Sequence, residues 1–276
     1  MSKTTLLAIL ACLFLAAPTL AWWGEAHKEE EVIERTVATA ADVSINVETT
    51  NGGIDIEVWD QNEVNIIATK KARGRDAAEA LEVLRETEIK VAEGNGTLSI
   101  RTDRPRTGWN GKRGISVSYE LRVPRYASVD LGSTNGRIEI TGLGGTVRAD
   151  TTNGGIRLQD IDGSVDATTT NGSIKAYDLG DRLDARTTNG SIYAEVNAGS
   201  LSEDMRLITS NGSVELMLSP SVAATIEARV SNGSIRSDLD VDGRITKKTL
   251  SGDLNGGGPR IELRTSNGRI RLSEAR

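Results

Sequence analysis

A six-residue phrase of the form Thr-Thr-Asn-Gly-x-Ile recurs along this chain, and its spacing constrains the fold more than any other feature. The copies contain Asn51, Asn135, Asn153, Asn171, Asn189, Asn211, Asn232 and Asn267, and Ser251 replaces asparagine in a degenerate copy. From Asn135 to Asn267, counting Ser251, the steps are 18, 18, 18, 22, 21, 19 and 16 residues. Hairpins do not need the same corner at a fixed step, whereas a coil in which identical corners stack does.

The residues flanking each asparagine alternate between apolar and polar, the pattern of a β-strand with one buried side. Positions six before and three after the asparagine are apolar, as Val165 and Ile174 are around Asn171. The sequence therefore predicts an all-β fold: a parallel β-solenoid, or β-helix, over residues 127–272, with rungs of 18–22 residues that each pair with the next. The Asn-Gly pairs are expected to form corners because both residues tolerate positive φ. Stacked Thr and Asn side chains are expected to form hydrogen-bonded ladders along the axis.

Residues 42–126 predict a less regular β part of the same domain, which would span residues 42–272. A first rung has its corner at Asn51, and strands are predicted at residues 64–68, 89–92, 98–101 and 115–123. Ala77, Ala80, Leu81 and Leu84 lie at helical spacing, so residues 75–86 predict a short amphipathic helix. Residues 105–114 predict an exposed loop, and residues 22–41, with three consecutive glutamates, predict a solvated linker.

The first 21 residues have the form of a secretory signal peptide. Lys3 precedes an apolar run too short to span a bilayer, and small residues precede a cleavage position after Ala21. A lipoprotein signal with Cys12 as the modified residue is the alternative, although the apolar run continues well beyond Cys12. We therefore expect an exported protein, periplasmic or extracellular at the cell surface, with no transmembrane segment after cleavage.

Composition excludes several classes of chemistry. The net charge of −6 and the pI near 5.1 argue against nucleic acid as a partner, because the basic residues are spread among acids. His27 is the one histidine and Cys12 the one cysteine, so neither a Ser-His-Asp triad nor a zinc cluster is expected in the repeat region. We expect no cofactor, no catalytic residues and no enzymatic activity.

Two groups of acidic residues have spacings that resemble ligand or catalytic sites. Asp238, Asp240 and Asp242 imitate the start of a calcium loop, but Thr249 occupies the twelfth position, where a bidentate glutamate is needed. They form a weak calcium candidate, and no metal site is expected. Asp160, Asp162 and Asp166 are the carboxylates that an alternative function, a carbohydrate-active β-helix enzyme, would use. Acidic outward positions are more often a solvated surface with cross-rung pairs such as Arg148 with Asp130.

The segment Val-Ser-Tyr-Glu-Leu-Arg-Val-Pro at residues 117–124, the Ala127–Ile138 stretch and the Thr-Thr-Asn-Gly rungs that follow resemble the putative-adhesin family of bacterial envelope proteins. The resemblance covers residues 42–272 and is to a domain of unknown function. It implies a secreted or envelope-attached β-solenoid and no defined catalytic residue. The expected function is that of a non-enzymatic structural or adhesion-type protein that presents a repetitive surface to an envelope protein, a surface or a glycan.

Overall fold

A computed structural model describes residues 26–104, 113–197 and 201–275. The described residues form a β-solenoid of 21 strands with one short helix, as the repeat predicts. The elements are β1 (His27–Ala38), β2 (Ser44–Asn51), β3 (Ile54–Trp59), β4 (Glu63–Gly74), α1 (Ala77–Glu86), β5 (Glu88–Gly94), β6 (Thr97–Asp103), β7 (Gly114–Pro124), β8 (Ser128–Asn135), β9 (Ile138–Thr141), β10 (Val147–Asn153), β11 (Ile156–Ile161), β12 (Val165–Asn171), β13 (Ile174–Leu179), β14 (Leu183–Asn189), β15 (Ile192–Val196), β16 (Met205–Asn211), β17 (Val214–Leu218), β18 (Ala224–Ser237), β19 (Asp242–Ile245), β20 (Thr249–Leu254) and β21 (Arg260–Glu274). In the described residues, no helix is long and apolar enough to cross a membrane.

Each regular rung contributes one strand to each of two faces, and the Asn-Gly corner joins the two strands. The first face carries the strands that end at the corner asparagines, in parallel register from β2 through β8, β10, β12 and β14 to β16. The second face carries the strands that begin after the corner, from β3 through β9, β11, β13 and β15 to β17. The register advances by one whole rung at each step. The corner asparagines therefore align with one another in the first face, and the apolar residues three positions after them align in the second face.

The core consists of the inward residues that the period-2 pattern predicts. Ile174 stacks between Ile156 and Ile192 and is fully buried, and Val165 stacks beneath Leu183 in the first face. Alanine at the next inward position, as at Ala167, keeps the two faces close together. The apolar layers therefore fill a narrow interior that contains almost no aromatic rings; Tyr119 is its one fully buried ring among the described residues.

The order of rungs along the axis differs from the order in the chain. The last strand, β21, lies between β16 and β18 and pairs in parallel with both. The prediction that each rung pairs with the next is therefore wrong at this end. The degenerate copy around Ser251 is not a rung, because β20 runs antiparallel to β18 and forms a hairpin with β19. Alternating apolar residues specify a strand but not its direction, so the sequence pattern does not reveal this reversal.

The linker predicted for residues 22–41 is also corrected. Residues 27–38 form β1, which pairs antiparallel with β4 along its whole length. Val37 is buried, and Glu31 forms an ion pair with the buried Lys70 at 2.6 Å. Charged residues dominate this strand because it is an edge, where charge discourages pairing with other chains. Residues 22–25 and the predicted signal peptide of residues 1–21 lie outside the described residues.

The helix predicted for residues 75–86 is observed as α1. Asp76 caps its first turn by accepting from the Glu79 backbone N–H at 2.8 Å, and the Glu79 carboxylate accepts in return from the Arg75 backbone N–H. At the other end, the Lys70 ammonium donates to the carbonyl oxygens of Leu84 and Thr87, each at 2.9 Å. The helix packs against β4 and β1 and covers that end of the solenoid.

The buried side of helix α1 differs in part from the side that the sequence predicts. Ala80, Val83 and Leu84 are buried, whereas Leu81 is 39% exposed. The four strands predicted between residues 64 and 123 fall within β4, β5, β6 and β7. Most of the predicted loop at residues 105–114 lies outside the described residues.

Candidate functional site

The corner is the most regular surface of the molecule. The side-chain amide of each corner asparagine above Asn51 donates to the side-chain oxygen of the asparagine below it, at distances of 2.8–3.0 Å, and Asn51 donates to the Ile115 carbonyl oxygen at 3.4 Å. The ladder runs through Asn51, Asn135, Asn153, Asn171, Asn189, Asn211, Asn267 and Asn232 in that order. Every bond points the same way along the axis, so one N–H of each amide remains available at the surface, except at Asn135, which also donates to the Thr50 carbonyl oxygen at 3.5 Å.

A second ladder lies just inside the corner, at the residue two positions before each asparagine. Its hydroxyls donate to a backbone carbonyl of the neighbouring rung; for example, Thr169 donates to the Gly154 carbonyl oxygen at 2.8 Å. The members are Thr49, Ser133, Thr151, Thr169, Thr187, Thr209 and Thr265, at 2.8–3.1 Å. Val230 takes this position in the last rung of the stack, where the hydroxyl ladder ends.

The corner glycines are required by close stacking. A Cβ atom on Gly172 would lie well within 3.0 Å of the Gly154 carbonyl oxygen, and the other corner glycines meet the neighbouring rung in the same way. Only Gly52, Gly212 and Gly233 among them have positive φ, and none of the eight corner asparagines does. The positive-φ explanation expected for the Asn-Gly corner is therefore wrong for most rungs. Asparagine supplies the ladder, and glycine allows one peptide to lie directly on the next.

A third row, immediately before the asparagines, consists of outward hydroxyl residues. They are Thr50, Thr134, Thr152, Thr170, Thr188, Ser210, Ser266 and Ser231 in stacking order. All are exposed except the half-buried Thr50, and their hydroxyls form no hydrogen bond with any described residue. We call this row, together with the asparagine ladder, the corner array. The repeated phrase contains the array, but the phrase alone does not distinguish its inward threonine from its outward one.

Charged side chains cover the two faces beside the array. Arg148 lies 3.9 Å from Asp130 and 3.1 Å from Asp150 on the first face, so the expected cross-rung pairing is observed. On the second face, Arg157 pairs with Glu139 at 3.6 Å. Such exposed pairs contribute at most about 1 kcal/mol each, so they set the character of the surface more than its stability.

One aromatic cluster interrupts the charges of the second face. The rings of Tyr177 and Tyr193 lie 5.0 Å apart, and the Arg157 guanidinium lies 4.8 Å from the centre of the Tyr177 ring. The Tyr193 hydroxyl contacts the Met217 sulfur at 2.9 Å. Burial, followed by the charge of Glu195, raises the pKa of the Tyr193 hydroxyl. Both rings are half-buried, so the cluster packs largely against itself.

The three carboxylates considered for catalysis lie at a return turn, which connects the second face back to the first. Asp162 pairs with Arg125 at 2.8 Å, and Asp166 accepts two hydrogen bonds from Arg182. Asp160 has a φ of +55°, a conformation that Gly142 and Asp178 adopt at the equivalent places one rung away. Aspartate tolerates this left-handed conformation, so the turn itself accounts for Asp160.

The weak calcium candidate is not assembled. Asp238 pairs with Arg271 at 3.1 Å, and Asp242 begins the exposed edge strand β19. Among the described residues, no group of three or more acidic, histidine or cysteine side chains is placed to hold a metal ion.

Comparison with known proteins gives matches only among solved structures. No family model matches the chain, and no curated protein matches it. The chain is similar to a putative cell adhesion protein from Clostridium sporogenes, at 12% identity and a TM-score of 0.35, over 91% of this chain and 100% of that one. It is also similar to a putative adhesin from Bacteroides fragilis, at 12% identity and a TM-score of 0.40, over 88% and 97% of the two chains. A putative adhesin from Parabacteroides merdae matches at 10% identity and a TM-score of 0.30, over 89% and 96%.

Proposed function

We propose that this protein is a non-enzymatic, adhesion-type protein that acts outside the cytoplasm after removal of residues 1–21, and that its corner array is the surface that contacts a partner. The observation that carries the proposal is the outward hydroxyl row. Neither hydrogen bonding within the described residues nor packing requires a hydroxyl at these exposed positions, yet all eight rungs have one.

The chemistry of the array fits a polar, uncharged partner surface. Each rung offers one hydroxyl, which both donates and accepts, and every rung except that of Asn135 offers one amide N–H beside it. Because the rungs lie about 4.8 Å apart, these groups form a straight, evenly spaced strip of identical weak contacts. A strip of this kind gains affinity from the number of units that a long or repetitive partner contacts at once. Glycan chains and glycan-coated surfaces have this repetitive, hydroxyl-rich character.

The test removes hydroxyls without changing shape. Thr152→Val, Thr170→Val and Thr188→Val combined should reduce the retention of purified protein on cell-envelope material and on polysaccharide-coated surfaces. The control variant, Thr141→Val with Ser273→Ala, removes hydroxyls from the second face and should retain wild-type binding. Equal retention of both variants and wild type would show that the array is not the contact surface. Failure of the wild-type protein to bind any of these surfaces would contradict the adhesion function itself.

A further inference from the structure

Gly132 differs from every corner glycine. It lies in the middle of β8, on the outside of the first face, three residues before Asn135. A Cβ atom there would approach no atom closer than the Glu48 Cγ, at 3.9 Å, so packing does not require glycine. The same outward position holds Glu48, Asp150, Thr168, Arg186, Ile208, Arg264 and Arg229 in the other rungs. A glycine within a strand weakens the strand and often marks a place where a ligand approaches the backbone.

The missing side chain opens a depression of about 430 Å³ beside the corner array. Its floor is the backbone at Gly132, and its border on the array side is formed by the hydroxyl residues Thr50, Thr134 and Thr152. The charged residues Glu48 and Arg101 stand on one side and Asp150 on the other. The volume lies in the range of about 300–1,000 Å³ that small-molecule sites occupy.

Two of the charged side chains around the depression have no ion-pair or hydrogen-bond partner among the described residues. Glu48 and Arg101 are direct register partners on β2 and β6, yet neither forms a hydrogen bond or ion pair with any described residue. Asp150, by contrast, is held by Arg148 at 3.1 Å. The depression therefore presents a free carboxylate and a free guanidinium side by side, next to three hydroxyls that have no partner in the described structure.

This set of groups selects among ligand classes. Carboxylates on both sides oppose a phosphate or another anion, and the guanidinium opposes a metal cation. A neutral ligand with neighbouring hydroxyls suits all of them, because the carboxylate accepts, the guanidinium donates in a fork, and the threonine hydroxyls do either. A sugar ring has this arrangement of groups, and one face of the ring can lie against the half-buried glycine backbone.

We propose that the depression at Gly132 is a binding site for one ring of a neutral saccharide, whose neighbouring units continue along the corner array. This inference rests on the proposed adhesion function and deepens it by naming the ligand class and the site. The array supplies weak contacts along a chain, and the depression supplies the position where a single sugar unit is held.

The experiment titrates isotope-labelled protein with cellohexaose, chitohexaose and maltohexaose, and with oligogalacturonate as an anionic comparison, and follows backbone amide resonances. We expect at least one neutral hexasaccharide to shift the Gly132 and Thr134 amides, and oligogalacturonate to leave them unchanged. Gly132→Val should weaken that binding about tenfold or more, because it fills the depression. Thr168→Val, a matched change at the same repeat position two rungs away, should leave the affinity unchanged.

Arg101→Met provides a second variant that does not touch the strand backbone, and it should also weaken binding. No shift at Gly132 with any neutral hexasaccharide, or equal affinity of wild type, Gly132→Val and Arg101→Met, would overturn the site. If wild-type protein adheres to envelope material but no neutral hexasaccharide shifts the Gly132 amide, the site is wrong and the adhesion function stands. If wild-type protein adheres to no surface, the adhesion function fails first.

Discussion

The side-chain amide of Asn232 donates to the side-chain oxygen of Asn267 at 3.0 Å, although Asn267 follows it by 35 residues. Asn267 in turn donates to Asn211, so the final strand of the chain lies inside the stack and not at its end. The asparagine ladder keeps one direction through this change of chain order. Stacking of equivalent corners, and not the sequence order of rungs, therefore determines how the solenoid is built.

The requirement for glycine at the corner is tested by one substitution at two places. Gly172→Ala places a methyl group against the Gly154 carbonyl, and we expect it to lower the free energy of unfolding by at least about 2 kcal/mol. Gly132→Ala, in open space, should change it by no more than about 0.5 kcal/mol. Chemical denaturation of both variants provides the measurement. Equal losses at the two positions would mean that close stacking does not explain the corner glycines.

The assignment of inward and outward positions is tested at adjacent residues. Ile174→Asp buries an unpaired carboxylate between Ile156 and Ile192 and should cost several kcal/mol of stability. Lys175→Asp, at the exposed neighbouring position, should be nearly neutral. Thermal unfolding distinguishes the two, and similar shifts in Tm for both variants are incompatible with the register described above.

The buried Tyr119 predicts a specific loss of stability in alkali. Burial raises the pKa of its hydroxyl to about 12, and the hydroxyl shares a 2.7 Å hydrogen bond with Thr102. The folded pKa exceeds the unfolded value of about 10. The contribution of the neutral Tyr119 hydroxyl to the free energy of unfolding is therefore fully present below pH 10 and is lost as the pH rises through about 12.

Tyr119→Phe should therefore be less stable than wild type at neutral pH, by about 1 kcal/mol for the lost hydrogen bond. The difference should shrink above pH 10 and reverse towards pH 12, since the variant has no hydroxyl to ionise. Denaturant unfolding of both proteins across this range is the measurement. A difference that stays constant with pH would show that Tyr119 does not titrate in the folded state as described.

The acidic residues of the return turn should matter little individually. Asp162→Lys breaks an exposed pair with Arg125, so we expect a stability change within about 1 kcal/mol and only a modest loss of surface retention. Charge reversal at Asp160 or Asp166 should likewise reduce surface retention only modestly. Depolymerisation of a polysaccharide by purified protein, abolished by Asp162→Asn, would replace the adhesion proposal with the enzymatic alternative.

The sequence predicts the repeating part of this fold well because period-2 burial leaves a direct trace in each rung, as at Val165 and Ile174. Strand β1 was missed because an edge strand carries charges, such as Glu29 and Lys28, that also characterise a linker. The insertion of β21 was missed because nothing local distinguishes the rung at Asn232 from the rung at Asn267. For the Gly132 depression, the sequence does contain a signal: when the copies are aligned, all the remaining rungs have a residue with a side chain at that position.

The central claim, that the corner array binds through the number of its units, is tested most directly by removing whole rungs. Deleting residues 154–171 joins Asn153 to Gly172 and preserves the Asn-Gly corner, and deleting residues 154–189 joins Asn153 to Gly190. Because each rung contacts only its neighbours, both variants should fold with little change in Tm. Retention on polysaccharide-coated surfaces should fall stepwise from wild type to the first and then to the second deletion, while hexasaccharide binding at Gly132 persists. Identical retention of all three proteins would contradict the claim.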